Sequence, residues 1–289
     1  MDHGFDARLR LPDGRWLGYR EAGDPRGTPL LFFHGLPGSR FQCPDHAEAS
    51  DLGVRLIAPE RPGYGLSDPS PEAYPLVAWP RDVAALADAL EIDRFAIAGY
   101  SLGGVFAAAC AHELSQRVTR VGLISSAATL DVAGNWHGWG PMRAFYELAR
   151  TDAAAFSAAA ESAAASPESF VAALTDAGGD VDRRALASPA LRERFLRDAR
   201  ETLRRNAAAL LRDVVLAARS WGFDVGAVRV PAFVWHGLED VYAPPAMAKF
   251  LAATIPGARA WLYAGEGHLL MFDRWPEILR ALTATESHA

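Results

Sequence analysis

The sequence predicts an α/β fold: a mostly parallel sheet of eight strands, helices on both faces, and a helical segment inserted in the middle of the chain. Three observations carry this. Short apolar runs alternate with helical patterns at short-loop spacing from about residue 28 to 125, the pattern of βαβ units. Gly99-Tyr100-Ser101-Leu102-Gly103 joins the buried-strand run Phe95–Ala98 to the alanine-rich helical run Val105–Cys110. From Asp131 to Ala218 the alternation stops and one helical pattern follows another.

Taken in order, Phe5 to Leu11 and Trp16 to Glu21 read as strands joined by Pro12-Asp13-Gly14, a hairpin signal, and should form an antiparallel edge. A strand near Leu30 follows, then a helix between Phe41 and Leu52, a strand near Leu56, a helix from Trp79 to Leu90, a strand near Ile97, a helix near Phe106 and a strand near Leu123. Two more strand-like runs, Pro231–Trp235 and Ala260–Tyr263, close the sheet. The expected division is a core of residues 1–130 and 219–289 with residues 131–218 inserted. The arginine-rich stretch Leu191 to Leu216 reads as a solvated face.

Composition narrows the function classes. The 289 residues are 50% hydrophobic and 22% charged, enough for one large domain with a full core. A net charge of −6 argues against nucleic acid or an anionic membrane as partner, since both reward a basic patch. Lys249 is the single lysine, a bias ascribed to a GC-rich genome. Cys43 and Cys110 are too few for a disulfide framework or a zinc site and read as reduced, buried thiols. No phosphate-loop or dinucleotide signature occurs, so no cofactor and no metal are expected. The first residues lack a basic region followed by an apolar core, which makes a cytoplasmic location the expectation.

The Gly99–Gly103 run carries the chemistry. A serine on a sharp strand-to-helix turn needs small residues two positions either side, because a Cβ there would crowd the crossing strand and helix. Its hydroxyl then sits at the carboxyl edge of the sheet beside a helix N-terminus, which favours developing negative charge. Serine is a poor nucleophile until a histidine takes its proton and a carboxylate fixes that histidine. Downstream, Asp240 lies in His236-Gly237-Leu238-Glu239-Asp240 after one strand, and His268 lies in Ala264-Gly265-Glu266-Gly267-His268 after the next.

The order Ser101, Asp240, His268 resembles that of the α/β-hydrolase family. Two further stretches add to the likeness: Pro29–Phe33 with His34-Gly35-Leu36-Pro37-Gly38-Ser39, similar to the family's third strand and oxyanion loop, and Arg55–Glu60 with Arg61-Pro62-Gly63-Tyr64-Gly65-Leu66-Ser67-Asp68. The resemblance implies a serine hydrolase in which Leu36 and Leu102 give backbone N–H groups to an oxyanion hole. It also implies that residues 131–218 form a helical cap. His34 and His236 are other histidines at strand ends, Glu239 is a second acid beside Asp240, and Asp131 sits where some relatives carry the acid. The cluster Trp136, Trp139, Phe145 and Tyr146 fits either a pocket wall or an anchor of the cap on the core. The implied reaction is hydrolysis of a small apolar ester or lactone, with carbon–carbon bond hydrolysis or perhydrolysis by the same triad as an alternative. Members that only bind a small ligand are a second class.

Overall fold

The computed structural model describes residues 4–44, 46–71, 74–130, 132–136, 141–205 and 207–284. Eight strands form one sheet: β1 Phe5–Arg10, β2 Trp16–Gly23, β3 Thr28–Phe33, β4 Val54–Pro59, β5 Phe95–Tyr100, β6 Val118–Ile124, β7 Ala232–Gly237 and β8 Arg259–Tyr263. Their order is β1-β2-β4-β3-β5-β6-β7-β8. β1 pairs antiparallel with β2 and β2 with β4, and every later pair is parallel. The predicted antiparallel edge and parallel body are both present.

Both faces of the sheet are covered. Period-two alternation sends Leu31, Phe33, Ile57 and Ile97 to one core and Leu30, Phe32, Leu56 and Ala96 to the other. On the first face Phe33 meets Trp79 of helix α2 (Trp79–Ala89) edge to face, ring centroids 5.5 Å apart. Helices α3 (Leu102–Glu113) and α10 (Pro245–Thr254) complete that layer. On the second, Phe32 meets Trp275 of helix α11 (Leu270–Thr283) at 5.8 Å, and the short helix α1 (His46–Asp51) covers β4. α1 is shorter than the helix expected from Phe41, because Pro44 biases Cys43 away from helical geometry and the chain turns there instead.

Among the described residues, two short 3₁₀ turns (Ala133–Trp136 and Val225–Ala227) and six helices lie between β6 and β7: α4 Pro141–Thr151, α5 Ala153–Ala163, α6 Pro167–Ala177, α7 Asp180–Leu186, α8 Pro189–Thr202 and α9 Ala208–Ala218. The arginine-rich stretch is thus two helices. Arg200 and Arg204 face solvent as expected, but Arg212 is turned inward against Asp213 and Ser70, and the same helices bury Asp198 and Asp213.

The strand register gathers the functional loops at one edge. Phe33 pairs with Gly99, Tyr100 with Ile124, and Gly237 with Tyr263, so the residues after β3, β5, β7 and β8 all leave the sheet at its carboxyl end.

Candidate active site

Ser101 occupies the turn between β5 and α3 with φ 53° and ψ −122°, a left-handed conformation unusual for a residue with a Cβ. The turn closes only because its flanks are glycine. A Cβ on Gly103 would lie 2.1 Å from the Phe33 carbonyl oxygen, and one on Gly99 would lie 2.6 Å from both the Ala107 Cβ and the Gly103 oxygen. Leu102 is the first residue of α3, so its N–H is one of those a helix start leaves without an intrahelical acceptor.

His268 Nε2 lies 3.0 Å from Ser101 Oγ, and its Nδ1 lies 2.7 Å from Asp240 Oδ2. An ionised carboxylate can only accept, so the proton sits on Nδ1 and Nε2 is free to accept from the serine. Asp240 is buried and fixed by its own turn, its Oδ1 accepting the N–H groups of Tyr242 and Ala243 at 2.9 Å each. Burial would depress His268, but the charge of Asp240, the hydrogen bond to it and the charge of Asp182 together raise its pKa above the ordinary 6.5. The histidine loop is gripped on two sides. Ser125, after β6, donates its hydroxyl to the His268 carbonyl at 2.9 Å, while Asp182 of α7 accepts the N–H of His268 at 3.1 Å and that of Leu269 at 3.0 Å.

The loop after β3 is held as tightly. His34 donates Nδ1–H to the Gly35 carbonyl at 3.0 Å and accepts the Arg61 N–H on Nε2 at 3.3 Å. Burial and the Arg61 charge push it well below an ordinary imidazole, so it is a neutral brace. Arg61, fully buried, donates to the carbonyls of His34 (2.5 Å) and Gly35 (2.8 Å), and its charge is met by Asp213 of α9 at 2.6 Å. Gln42 accepts the Gly35 N–H at 2.5 Å and donates to the Pro37 carbonyl at 2.8 Å and to Asp198 of α8 at 3.2 Å. Ser39 donates to the other Asp198 oxygen at 2.5 Å.

Ser101 and His268 open onto a cavity of about 60 Å³, walled by Leu36, Tyr146, Leu174, Leu186, Phe195 and Tyr242 among others. No arginine or lysine lines it among the described residues.

The structure therefore brings Ser101, Asp240, His268, Leu36 and Leu102 to one place. Glu239 points elsewhere, accepting the Gly265 N–H at 3.0 Å. His236 is buried behind Asp240, donates Nε2–H to the Ala243 carbonyl at 2.6 Å, and is depressed by burial, which keeps it neutral. Of the aromatic cluster, Tyr146 lines the cavity, whereas Phe145 packs on Phe156 with centroids 4.8 Å apart. Trp139, the side chain of Trp136 and the alternative acid Asp131 lie outside the described residues. Gln42, Arg61, Asp182 and Asp198 were not singled out from the sequence. For Asp198 one available signal was its helical position: it shares a face with Leu191, Phe195 and Thr202 of α8, an acid on an inward stripe.

Comparison with known proteins agrees with this architecture. The family profile of the alpha/beta hydrolase fold matches residues 28–274. Over 259 residues the chain is 26% identical to the AB hydrolase superfamily protein YisY of Bacillus subtilis, covering 87% of this chain and 89% of that protein. It is 35% identical over 114 residues to the dihydrolipoyllysine-residue acetyltransferase component of the acetoin cleaving system of Pseudomonas putida, covering 39% of this chain but only 31% of that one. Among solved structures, a hydrolase from Pseudomonas aeruginosa PA01 covers 98% of this chain and 100% of its own with a TM-score of 0.73 at 23% identity. The esterase RhEst1 from Rhodococcus covers 97% and 98% with a TM-score of 0.72 at 23% identity. Such identities speak to the fold. With a profile match across most of its length and the sheet order described above, the chain belongs to the α/β hydrolase fold family.

Proposed function

We propose that this protein is a serine hydrolase that cleaves an uncharged carboxylic ester or lactone by two-step acyl transfer. The observation that carries the reading is the relay Ser101 Oγ, His268 Nε2, His268 Nδ1, Asp240 Oδ2, with spacings of 3.0 and 2.7 Å, opening onto an apolar cavity. In this reading Ser101 Oγ attacks the carbonyl carbon as its proton passes to His268 Nε2. Asp240 holds the ring in the required tautomer and stabilises the imidazolium. The carbonyl oxygen, now anionic, accepts from the backbone N–H groups of Leu36 and Leu102, where loss of one donor typically costs about 10²–10³-fold in turnover. His268 then protonates the departing alcohol oxygen, and the acyl-serine is released by a water that His268 deprotonates. For a lactone the alcohol stays tethered until that second step.

The helices from residue 131 to 218 act as the cap in this reading. Its support is that Tyr146, Leu174, Leu186 and Phe195, from four of the six helices or the ends of them, wall the cavity opposite Ser101. A cavity this small and apolar suits a short acyl group. Incubation with a fluorophosphonate should label Ser101, and Ser101→Ala should leave no labelling and no turnover of p-nitrophenyl acetate. A folded wild type that resists the probe, or an alanine variant keeping a tenth of the turnover, sinks the proposal.

A further inference from the structure

The inserted helices do more than wall the cavity. α7 and α8 each deliver one buried aspartate to a different loop of the site: Asp182 holds the backbone of His268 and Leu269, and Asp198 holds Ser39 and, through Gln42, Gly35 and Pro37. The two acids' own hydrogen bonds join residues 86 or more positions apart, and neither acid touches the space where a substrate would lie. A carboxyl group buried without a full ionic partner is costly to keep ionised. Both make two hydrogen bonds to the loops rather than to their own helices.

Resting on the serine-hydrolase reading, we propose that Asp182 and Asp198 are positioning residues through which the insertion sets the histidine loop and the oxyanion loop, so that docking of the insertion and competence of the site are one equilibrium. Asp182 orients His268 and adds a negative charge that favours its protonated form. Around the His268 ring stand Asp240, Asp182, His236, Tyr100 and Tyr242, of which Asp240 and Asp182 supply the negative charge. Asp198 adds no such bias to the ring. It holds the Leu36 segment at the distance an oxyanion requires.

The test compares Asp182→Asn, Asp198→Ala and Asp198→Asn with the wild type and with Glu193→Gln, an exposed control on α8. Each is quantified by fluorophosphonate titration of active sites and by circular dichroism, so that rates refer to folded protein. Asp182→Asn should lower kcat on p-nitrophenyl acetate roughly 10- to 100-fold with KM within about threefold, and should move the acidic limb of kcat/KM to lower pH. Asp198→Ala should slow both turnover and phosphonylation by a similar factor without moving that limb, and Asp198→Asn, which can still bond Ser39 and Gln42, should restore most of the rate. Variants whose rates per folded molecule equal the wild type, or an unmoved limb in Asp182→Asn, overturn the inference while leaving the labelled Ser101 intact. An unlabelled wild type overturns the hydrolase reading and this inference with it.

Discussion

At Asp240 and Glu239 two neighbouring carboxylates have been given different work by a single turn. Asp240 points in to His268 and is anchored by two backbone N–H groups, whereas Glu239 points out to Gly265. Asp240→Asn should therefore lower kcat by about 10³–10⁴-fold, because an amide at that place favours the wrong imidazole tautomer, and Glu239→Gln should change it less than about threefold. Steady-state kinetics on one chromogenic ester decide it, and a reversed pair of results moves the acid to Glu239. The same environment fixes the pH profile. Burial acts to depress His268, and Asp240 and Asp182 outweigh it, so the ring holds its proton to a pH above 6.5. In the proposed mechanism His268 can act as base only once that proton is lost, so kcat/KM should fall as pH drops through a midpoint above 6.5. A midpoint below 6.5 would show that the two carboxylates do not outweigh burial.

Elements differ in how openly the sequence announces them. The turn at Ser101 was legible because its constraints are local: a strand, two glycines and a helix within about a dozen residues specify it, and the positive φ of Ser101 follows. Gly103→Ala should cost more than about 2 kcal/mol in urea denaturation, since the new Cβ would meet a backbone oxygen of β3 that cannot retreat without breaking the sheet. Stability within about 0.5 kcal/mol of wild type would show that the turn relaxes. The loops after β3 and β8 were legible as positions, yet what holds them was not. Gln42 finds Asp198 across 156 positions and His268 finds Asp182 across 86, and no local pattern encodes which inward acid of a helix meets which loop. The cavity wall was half legible for a related reason. Phe145 and Tyr146 are adjacent in sequence, but the helix turns about 100° between them, so Tyr146 faces the cavity and Phe145 the helices around it. Tyr146→Ala should accordingly shift the ratio of kcat/KM between butyrate and acetate esters by roughly 10-fold or more towards the longer acyl chain, while Ser101 stays labelled by the probe. An unchanged ratio would place the acyl group elsewhere.

For the molecule as a whole, buried polar and ionic contacts tie the helices between β6 and β7 to the rest of the chain. The Asp198 carboxyl is pushed by burial up to about 7, so it keeps its proton across a range in which the unfolded chain, near 3.8, has lost it. Its contribution to stability is then full below about pH 4 and is lost as pH rises through about 7. Asp198→Asn removes that dependence. The stability of the wild type relative to this variant should decline between pH 5 and pH 7 by at most about 3 kcal/mol, read from urea midpoints, and a constant difference would mean that Asp198 is ionised throughout. Arg61 carries a further consequence, for the ways such a protein can be recombined. Its guanidinium is wholly enclosed, belongs to the core and is neutralised by an aspartate from α9. A chimaera that received a foreign helical segment without an acid at that place would strand a cation in the interior, at about 3–5 kcal/mol. The segment is therefore not a portable module that can be traded between scaffolds for new specificity. It travels with Arg61, or Arg61 must be exchanged in the same step.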